Sequence, residues 1–467
     1  MHVVAIGGSD AGISAALRAR ELDPSVEVTV VVADAYPNFS ICGIPYYISG
    51  EVGHWRDLAH RTRADLEAAG MRLRLNTRVT RVDVRGRRLT LVDEAGRQND
   101  LAYDELVVGT GALPVRPPIE GLSGPHALGP ADGVHLLHSM GDSFALTRSL
   151  EDRRPNSALI VGAGYVGLEM AEALTARGMR VSQVEMLDEV LPTVDPDLGA
   201  LVGAELIKHG VDVITGTAIQ RIARSPAGRG MLRVDGRGKQ PFRRDVDLVL
   251  VVVGVRPNTG LLVAAGARTG PRGAVAVDEA MRTGLPHVYA AGDCVVTHHR
   301  LLGRTYLPLG TTSHKQGRVA GENAIGGDAR YPGSLGTQVV KIFDLVAART
   351  GLRDHEAHAA GYTPATSASS HDDHKAYYPG AQPIHIRITG DLGSRRLLGA
   401  QLLGRLGTET AKRVDTYATA LHHGMTVDAL SDLDLAYTPP LGSPWDATQA
   451  AAQTWTREHP SDGSDPT

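Results

Sequence analysis

Residues 158–169 read ALIVGAGYVGLE, an apolar run followed at once by a glycine-rich turn. The run predicts a strand, and Gly162, Gly164 and Gly167 complete the pattern G-x-G-x-x-G before a helix predicted over 168–176. A second apolar strand over 181–184 closes a strand–turn–helix–strand unit. Glycines in such a turn leave no Cβ between a pyrophosphate and the backbone amides of the helix N-terminus. The stretch therefore predicts a dinucleotide-binding domain.

A less complete copy of this unit begins the chain. Residues 2–6 predict a strand, 7–12 (GGSDAG) a turn, 13–22 a helix and 26–32 a second strand. The middle fingerprint position holds a serine, but the strand–helix–strand context still predicts a second nucleotide site. The expected contacts in this half are Gly7, Gly8, Ser9, Ala11 and Gly12, with Thr110 and Gly111 from the later stretch DELVVGTGA.

Three carboxylates follow predicted strands at informative places. Asp34 lies about 20 positions beyond Gly12, the spacing of a ribose-binding acid, although a solvated strand-end acid explains it equally well. Glu185 ends the strand after the complete fingerprint, and its charge favours NADH over NADPH because it repels a 2′-phosphate. Asp293 is expected to accept hydrogen bonds from a sugar-alcohol chain, to cap a helical stretch, or both.

The composition limits the classes of protein to which this chain can belong. The chain has 467 residues, a net charge of −4 and 21% charged residues, which gives no nucleic-acid footprint. Two cysteines in this length argue against a secreted protein held by disulfides. The N-terminus enters a strand without a targeting pattern, and no apolar run approaches the ~18 residues of a membrane span. These features predict a cytoplasmic protein with no membrane or nucleic-acid partner.

Cys42 stands in NFSICGIPYY, residues 38–47, soon after the first turn. The other cysteine is Cys294, so no local cysteine pair exists and thiol chemistry at Cys42 needs an outside partner. We predict that Cys42 is redox-active, against the alternative of a buried structural cysteine, and that Cys294 is structural. The stretch HDDH at 371–374 lacks a strict ligand spacing, so no metal site is predicted.

The order of these motifs resembles the FAD-dependent pyridine nucleotide–disulfide oxidoreductases, and more closely their single-cysteine branch. That branch holds coenzyme A disulfide reductases, NADH oxidases and peroxidases, and persulfide reductases. The motifs that carry the resemblance are NFSICG at 38–43, GAGYVGLE at 162–169, AGD at 291–293, QGR at 316–318, LGT at 335–337, YYPG at 377–380 and LAYTPP at 435–440.

The resemblance implies an α/β fold with two Rossmann-like domains, which bind FAD and NAD(P)H, and a C-terminal α+β dimerisation domain. The expected boundaries are 1–120 with 255–330 for FAD, 121–254 for NAD(P)H, 331–452 for dimerisation and 453–467 for a disordered tail. NAD(P)H would pass a hydride to the flavin, and the flavin would reduce Cys42. Tyr437 and the Tyr377–Tyr378 pair would reach the cysteine of the other subunit of a homodimer. Further cofactor contacts are expected from Asn38, Tyr165, Val166, Glu169 and Gly254, and Tyr165 could cover a flavin face.

Departures from the branch's patterns bear on the substrate. Asp10 replaces the histidine typical of the oxidases and peroxidases, and an acid there would oppose a thiolate at Cys42. Asn38, Ile41 and Glu21 replace residues that hold coenzyme A, and Glu169 lacks its usual local lysine. The leading hypothesis is reduction of a small disulfide or persulfide, with coenzyme A as one candidate thiol. An NADH oxidase or peroxidase and a redox-sensing flavoprotein are the alternatives.

Overall fold

The computed structural model describes residues 1–228 and 230–460. The strands in chain order are β1 (His2–Ile6), β2 (Glu27–Val31), β3 (Met71–Arg74), β4 (Thr77–Asp83), β5 (Arg88–Asp93), β6 (Gln98–Ala102), β7 (Glu105–Val108), β8 (Ala112–Pro114), β9 (Val134–Leu136), β10 (Ser157–Val161), β11 (Arg180–Val184), β12 (Asp212–Ile214), β13 (Ala218–Arg224), β14 (Leu232–Arg237), β15 (Pro241–Val246), β16 (Leu248–Val251), β17 (Val255–Pro257), β18 (Val288–Ala290), β19 (Thr297–His299), β20 (Gly303–Thr305), β21 (Gln338–Ile342), β22 (Leu345–Gly351), β23 (Pro364–Asp372), β24 (Pro383–Asp391) and β25 (Leu397–Arg405).

The helices fill the connections between these strands. They are α1 (Asp10–Leu22), α2 (Ile44–Ser49), α3 (Arg63–Ala68), α4 (Met140–Arg153), α5 (Tyr165–Ala176), α6 (Pro196–Lys208), α7 (Gly260–Ala264), α8 (Gly310–Ala324), α9 (Asp354–Ala359), α10 (Thr410–His422), α11 (Val427–Ser431) and α12 (Ala447–Glu458). Short 3₁₀ helices lie at Ile41–Gly43, Trp55–Leu58, Pro130–Asp132 and Pro271–Gly273. Within the described part of the chain, no helix has the length and apolar character that crossing a membrane requires.

Two parallel sheets form the nucleotide-binding part of the molecule. The first has the order β18-β7-β1-β2-β3 and the second the order β12-β11-β10-β16-β9. Four of the five residues of β1 and all of β10 are buried, as expected for strands covered by helices on both faces. The two predicted strand–turn–helix–strand units are β1–α1–β2 and β10–α5–β11, so the predicted fold class is confirmed.

The chain leaves the first sheet, builds the second and then returns. β8 pairs with β17 in antiparallel orientation where the two crossings meet, and β18 pairs with β7 of the first sheet. Three-stranded meanders, β4-β5-β6 and β13-β14-β15, extend from the two units. This path agrees with a discontinuous FAD unit, while the residue boundaries given above stay predictions.

The C-terminal part is an antiparallel sheet with the order β21-β22-β25-β24-β23. Helices α10 and α12 pack on it, and the core between them contains Trp455, which is fully buried. The Trp455 indole N–H donates to the carbonyl of Ala365 at 2.9 Å. A sheet with helices on it is the predicted α+β arrangement.

The predicted start of the tail at residue 453 is wrong. Helix α12 continues to Glu458, and its buried face carries Ala451, Ala452 and Trp455. Alanines are only weakly hydrophobic, so the apolar periodicity of this helix is faint in the sequence although its spacing is helical. Residues 461–467, which the predicted tail also includes, lie outside the described residues.

Candidate active site

The first glycine turn is shaped by close backbone contacts. Gly7 has φ +114°, and a Cβ there would lie 2.0 Å from the carbonyl oxygen of Gly109. A Cβ on Gly12 would lie 2.1 Å from the carbonyl oxygen of Gly7, and one on Gly8 would lie 2.5 Å from Val32. The N-cap residue Ser9 makes no side-chain cap bond. The first amides of α1 are therefore available to a pyrophosphate, which fits the expected dinucleotide.

Several polar groups surround this turn. Asn38 is buried with φ 59°, and its Oδ1 has no hydrogen-bond partner among the described residues, so it can serve a bound cofactor. Asp34 Oδ1 accepts from the Tyr36 amide at 2.8 Å. Thr110 Oγ1 donates to the Asn258 carbonyl at 2.7 Å, and the space beside the Gly111 α-carbon is open.

Asp293 does not cap a helix, contrary to one of its two predicted roles. It lies in a turn followed by β19, and its Oδ1 accepts from Ser313 Oγ of α8 at 2.9 Å. Burial raises the pKa of Asp293, while the Ser313 hydrogen bond opposes that shift. The carboxyl group thus lies at the first turn of α8, where its second oxygen is free to accept a hydrogen bond from a polyol, as the sequence predicts.

The second turn repeats the glycine geometry around a buried acid. A Cβ on Gly167 would lie 2.1 Å from the Gly162 carbonyl oxygen, whereas the space at Gly164 is open, as is that at Gly254. Glu185 is 7% exposed. Its Oε2 accepts from the Ala163 amide at 2.8 Å and its Oε1 from the Leu187 amide at 3.0 Å. Glu185 therefore stabilises the turn itself, a role that the spacing did not predict.

The first residues of α5 differ in their surroundings. Tyr165 is half-buried, and its hydroxyl accepts from Thr193 Oγ1 at 3.2 Å, so it has a local packing role. Val166 is 39% exposed beside it. Met186, which follows Glu185 just after β11, is 69% exposed.

Cys42 lies in the 3₁₀ helix Ile41–Gly43 and is exposed. The segment before it is held by aromatic packing, in which the Phe39 and Trp55 rings lie 5.5 Å apart. Desolvation by the surrounding protein raises the pKa of the Cys42 thiol, and the charges of Glu169, Asp10 and Asp293 raise it further. The predicted opposition between Asp10 and a thiolate is thus present, and the chain's own groups favour the neutral thiol.

Glu169 belongs to a network that the sequence analysis did not identify. The Tyr46 hydroxyl donates to Glu169 Oε1 at 3.3 Å. Burial, with a contribution from Glu172, raises the pKa of Glu169 to about 7, against the lowering effects of Tyr46 and Lys341. Lys341 of β21 binds the Glu172 carboxylate and lies 5.8 Å from the Tyr46 ring. A lysine of the C-terminal part therefore acts on Glu169 through its charge, while its ion pair is with Glu172.

The tyrosines near the C-terminus form a separate group. Tyr437 is 44%, Tyr377 73% and Tyr378 43% exposed. Desolvation raises the pKa of the Tyr437 phenol, and a hydrogen bond and charge interaction with Tyr377 raise it further. Tyr378 instead packs edge-on against His374 at 5.7 Å between ring centroids. Tyr437 therefore interacts with Tyr377 in the same chain, while which of Tyr377 and Tyr378 faces an active site stays a prediction.

Two nucleotide cradles around one exposed thiol define a flavin- and nicotinamide-dependent oxidoreductase. Residues 1–317 match the family model described as pyridine nucleotide-disulphide oxidoreductase, and residues 337–447 match the dimerisation domain of the same family. The chain belongs to this family, which uses FAD and NAD(P)H.

Relatives of known name differ in the activity that they carry. An NADH oxidase of Methanocaldococcus jannaschii is 32% identical over 97% of this chain and 98% of its own. An NAD(P)H coenzyme A polysulfide/persulfide reductase of Pyrococcus horikoshii is 33% identical over 95% of this chain and 96% of its own. The solved structure of an NAD-dependent persulfide reductase from A. fulgidus superposes with a TM-score of 0.91 at 36% identity, over 98% of this chain and 83% of that one.

Met186→Arg tests the nucleotide preference without breaking the Glu185 hydrogen bonds. An arginine at this exposed position can pair with a 2′-phosphate, so the ratio of kcat/KM for NADPH to that for NADH should rise at least about tenfold. Met186→Gln is the uncharged control. An unchanged ratio for Met186→Arg, with normal use of NADH, would contradict the expected position of the nucleotide ribose beside Glu185.

Glu169→Gln tests the acid beside the thiol. Above pH 7 the native carboxylate opposes the thiolate, so its removal should lower the pKa of Cys42. The pH dependence of Cys42 alkylation, followed by peptide mass, measures the shift. The exposed acid Glu151 on α4 supplies the control Glu151→Gln, which should leave the profile unmoved. Equal profiles in the two variants would exclude this electrostatic coupling.

Proposed function

We propose that this chain reduces a small disulfide or persulfide with NAD(P)H through Cys42. The observation that carries the proposal is the contrast between the two cysteines. Cys42 is exposed among cofactor-site carboxyls, while Cys294 is fully buried and its thiol donates to the Ala291 carbonyl at 3.4 Å. Since the two thiols occupy such different places, the sulfur that pairs with Cys42 comes from a substrate.

The reaction balances with one reductant and one proton. Cys42 Sγ attacks one sulfur of a disulfide RSSR, the substrate S–S bond breaks, and a Cys42–S–S–R bond forms as RS⁻ leaves and is protonated. Two electrons and one further proton then break the Cys42–S–S–R bond, release the second thiol and return Cys42 to the thiolate that made the attack. Bound FAD supplies the two-electron relay from NAD(P)H. The overall change is NAD(P)H + H⁺ + RSSR to NAD(P)⁺ + 2 RSH.

The chain's own groups assist this exchange in distinct ways. Glu169 titrates near neutrality, so its protonation state can follow the charge at Cys42. The Tyr437 phenol, adjacent to Tyr377, is the proposed proton donor to the departing thiolate. We propose that it acts across a homodimer, which the family's dimerisation domain supports.

Coenzyme A is one candidate for the thiol, because the name of the Pyrococcus relative includes it. The ion pairs of helix α1 do not favour a coenzyme A phosphate. Arg18, the basic residue available to a phosphate, pairs with Glu21 at 3.0 Å and with Glu322 at 2.7 Å. Two carboxylates already compensate its charge, so a phosphate there must displace one of them. We therefore propose the class of small disulfides and persulfides, with coenzyme A disulfide as one member of the substrate panel.

An NADH oxidase is the second candidate function, supported by the name of the Methanocaldococcus relative. Asp10 weighs against it, because it replaces the histidine typical of the oxidases and peroxidases, and its negative charge opposes an anionic sulfenate at Cys42. Comparison of NADH consumption under anaerobic conditions with disulfides, and in air without them, separates the two functions. Faster turnover in air alone would favour the oxidase.

Cys42→Ser should retain FAD and its reduction by NAD(P)H but lose sulfur-dependent turnover by at least ~1,000-fold. The reason is that the hydroxyl cannot form the mixed disulfide. Cys294→Ala is the matched control, and it should keep turnover because its thiol is buried away from substrate. Anaerobic stopped-flow reduction and steady-state assays measure both steps. Undiminished disulfide reduction by the serine variant would remove Cys42 from the mechanism.

Mixed dimers test whether Tyr437 acts in trans. A dimer of Cys42→Ser and Tyr437→Phe protomers has one doubly defective and one intact site if the pairing crosses the interface. Random re-pairing should then recover about a quarter of wild-type activity, above the sum of the two variants measured alone. Tyr362→Phe, at a half-buried tyrosine packed on another cluster, is the control for tyrosine loss. No recovery in proven mixed dimers would place both groups in one chain.

A further inference from the structure

Asp10, His60 and His314 converge from three different elements. Asp10 begins α1, His314 lies in the first half of α8, and His60 follows the 3₁₀ helix Trp55–Leu58. One nitrogen or oxygen from each side chain lies within 4.8 Å of the other two, and His314 Nε2 is 3.3 Å from Asp10 Oδ1. A tetrahedral zinc ion with bonds of about 2.0–2.1 Å places its ligand atoms roughly 3.4 Å apart, so this pair already has the required spacing.

The second nitrogen of His314 is held by a hydroxyl group. Ser14, one turn along α1 from Asp10, places its Oγ 2.9 Å from His314 Nδ1. If Nδ1 carries the proton, its N–H donates a hydrogen bond to Ser14 Oγ, and Nε2 presents its lone pair towards Asp10. Metal-bound histidines ordinarily have their other ring nitrogen fixed by such a partner. Ser14 thus orients His314 as an outer-shell group would.

His60 is also positioned by the backbone rather than left on a free loop. Its amide donates to the carbonyl of Asn38 at 2.9 Å, which ties its segment to the residues preceding Cys42. The His60 and His314 rings lie 6.2 Å apart at 74°. The side chains of Asp10 and His314 are 23% and 44% exposed, so an ion from solvent can reach them.

A second group of potential metal ligands differs from the first because side-chain cations already pair with its carboxylate. Glu205, His209 and Asp344 also bring three potential ligand atoms within 4.8 Å. Glu205, however, is already paired with Lys208 at 3.2 Å and with Arg405 at 2.7 Å. Within residues 1–228 and 230–460, by contrast, the only ion-pair partner of Asp10 within 4.0 Å is His314. A cation would have to displace two side-chain cations at Glu205 and none at Asp10.

We propose that Asp10, His60 and His314 bind a divalent first-row transition-metal ion, with Zn²⁺ as the best match, and leave a fourth position for solvent or a further ligand. Two imidazoles and one carboxylate are a ligand set that zinc takes in proteins. This site goes beyond the proposed reduction of sulfur, which needs no metal. An ion held by Asp10 would put positive charge at a place whose negative charge now reaches Cys42.

The test is Zn²⁺ binding to the FAD-loaded enzyme after removal of metals with a chelator. Equilibrium dialysis with elemental analysis should show one tightly bound zinc per chain. His314→Ala and His60→Ala should each lower the affinity at least ~100-fold, and Ser14→Ala about tenfold, as the loss of an outer-shell partner does. His209→Ala, in the second group, should leave both stoichiometry and affinity unchanged.

FAD content and dimer formation, measured for each variant, distinguish the loss of a metal ligand from the loss of the fold. His60 is exposed, so its replacement disturbs packing least. Failure of the wild-type protein to bind zinc more tightly than the variant lacking both His60 and His314 would overturn the proposal. So would loss of the tight site in His209→Ala with retention in His314→Ala. Neither result would bear on sulfur reduction, which is measured separately in metal-free buffer.

Discussion

The close contact between α1 and α8 organises the rest of the site. A Cβ on Gly317 would lie 2.4 Å from the Ala11 carbonyl oxygen, and one on Gly321 would lie 2.2 Å from that of Ala15. Only glycine permits this backbone approach, because any side chain would push the helices apart. The QGR motif at 316–318, noticed in the sequence as part of a resemblance, has this physical role.

Side chains of α8 depend on that contact to reach their partners. Gln316 Oε1 accepts from the Gly292 amide at 2.9 Å, and Ser313 holds Asp293, so the loop of the AGD motif is fixed from α8. His314 meets Asp10 and Ser14 for the same reason. One glycine-lined interface therefore determines the position of Asp293 and of two of the three proposed metal ligands, Asp10 and His314.

The sequence predicted those features that are local in the chain. Each of these features can be recognised from about twenty consecutive residues: the glycine turns, their flanking strands and helices, and the isolated Cys42. Glu185 was placed correctly at its strand end, but its hydrogen bond to the Ala163 amide was not foreseen, because that bond depends on the folded turn. The helix containing Trp455 was missed because alanines carry most of its buried face.

Groups assembled from distant segments could not be predicted in this way. Lys341 reaches Glu172 across 169 residues, and His314 reaches Ser14 across 300. No pattern in one sequence links such positions, since the link is made by packing of separate elements. The proposed metal site is the clearest case: its three residues are unremarkable singly, and the HDDH stretch that does look like a ligand cluster contributes none of them.

Helix α5 connects the two halves of the proposed chemistry. Its N-terminus follows the second glycine turn, which we propose holds the nicotinamide nucleotide, and Tyr165, Glu169 and Glu172 follow at helical spacing along one face. Glu169 meets Tyr46 of α2 next to Cys42, and Glu172 meets Lys341 of the C-terminal sheet. A change in charge at the thiol thus acts on a carboxyl group of the helix that is proposed to hold the reductant. Because the pKa of Glu169 is about 7, this coupling operates at neutral pH, where small changes in the surrounding charge alter its protonation most.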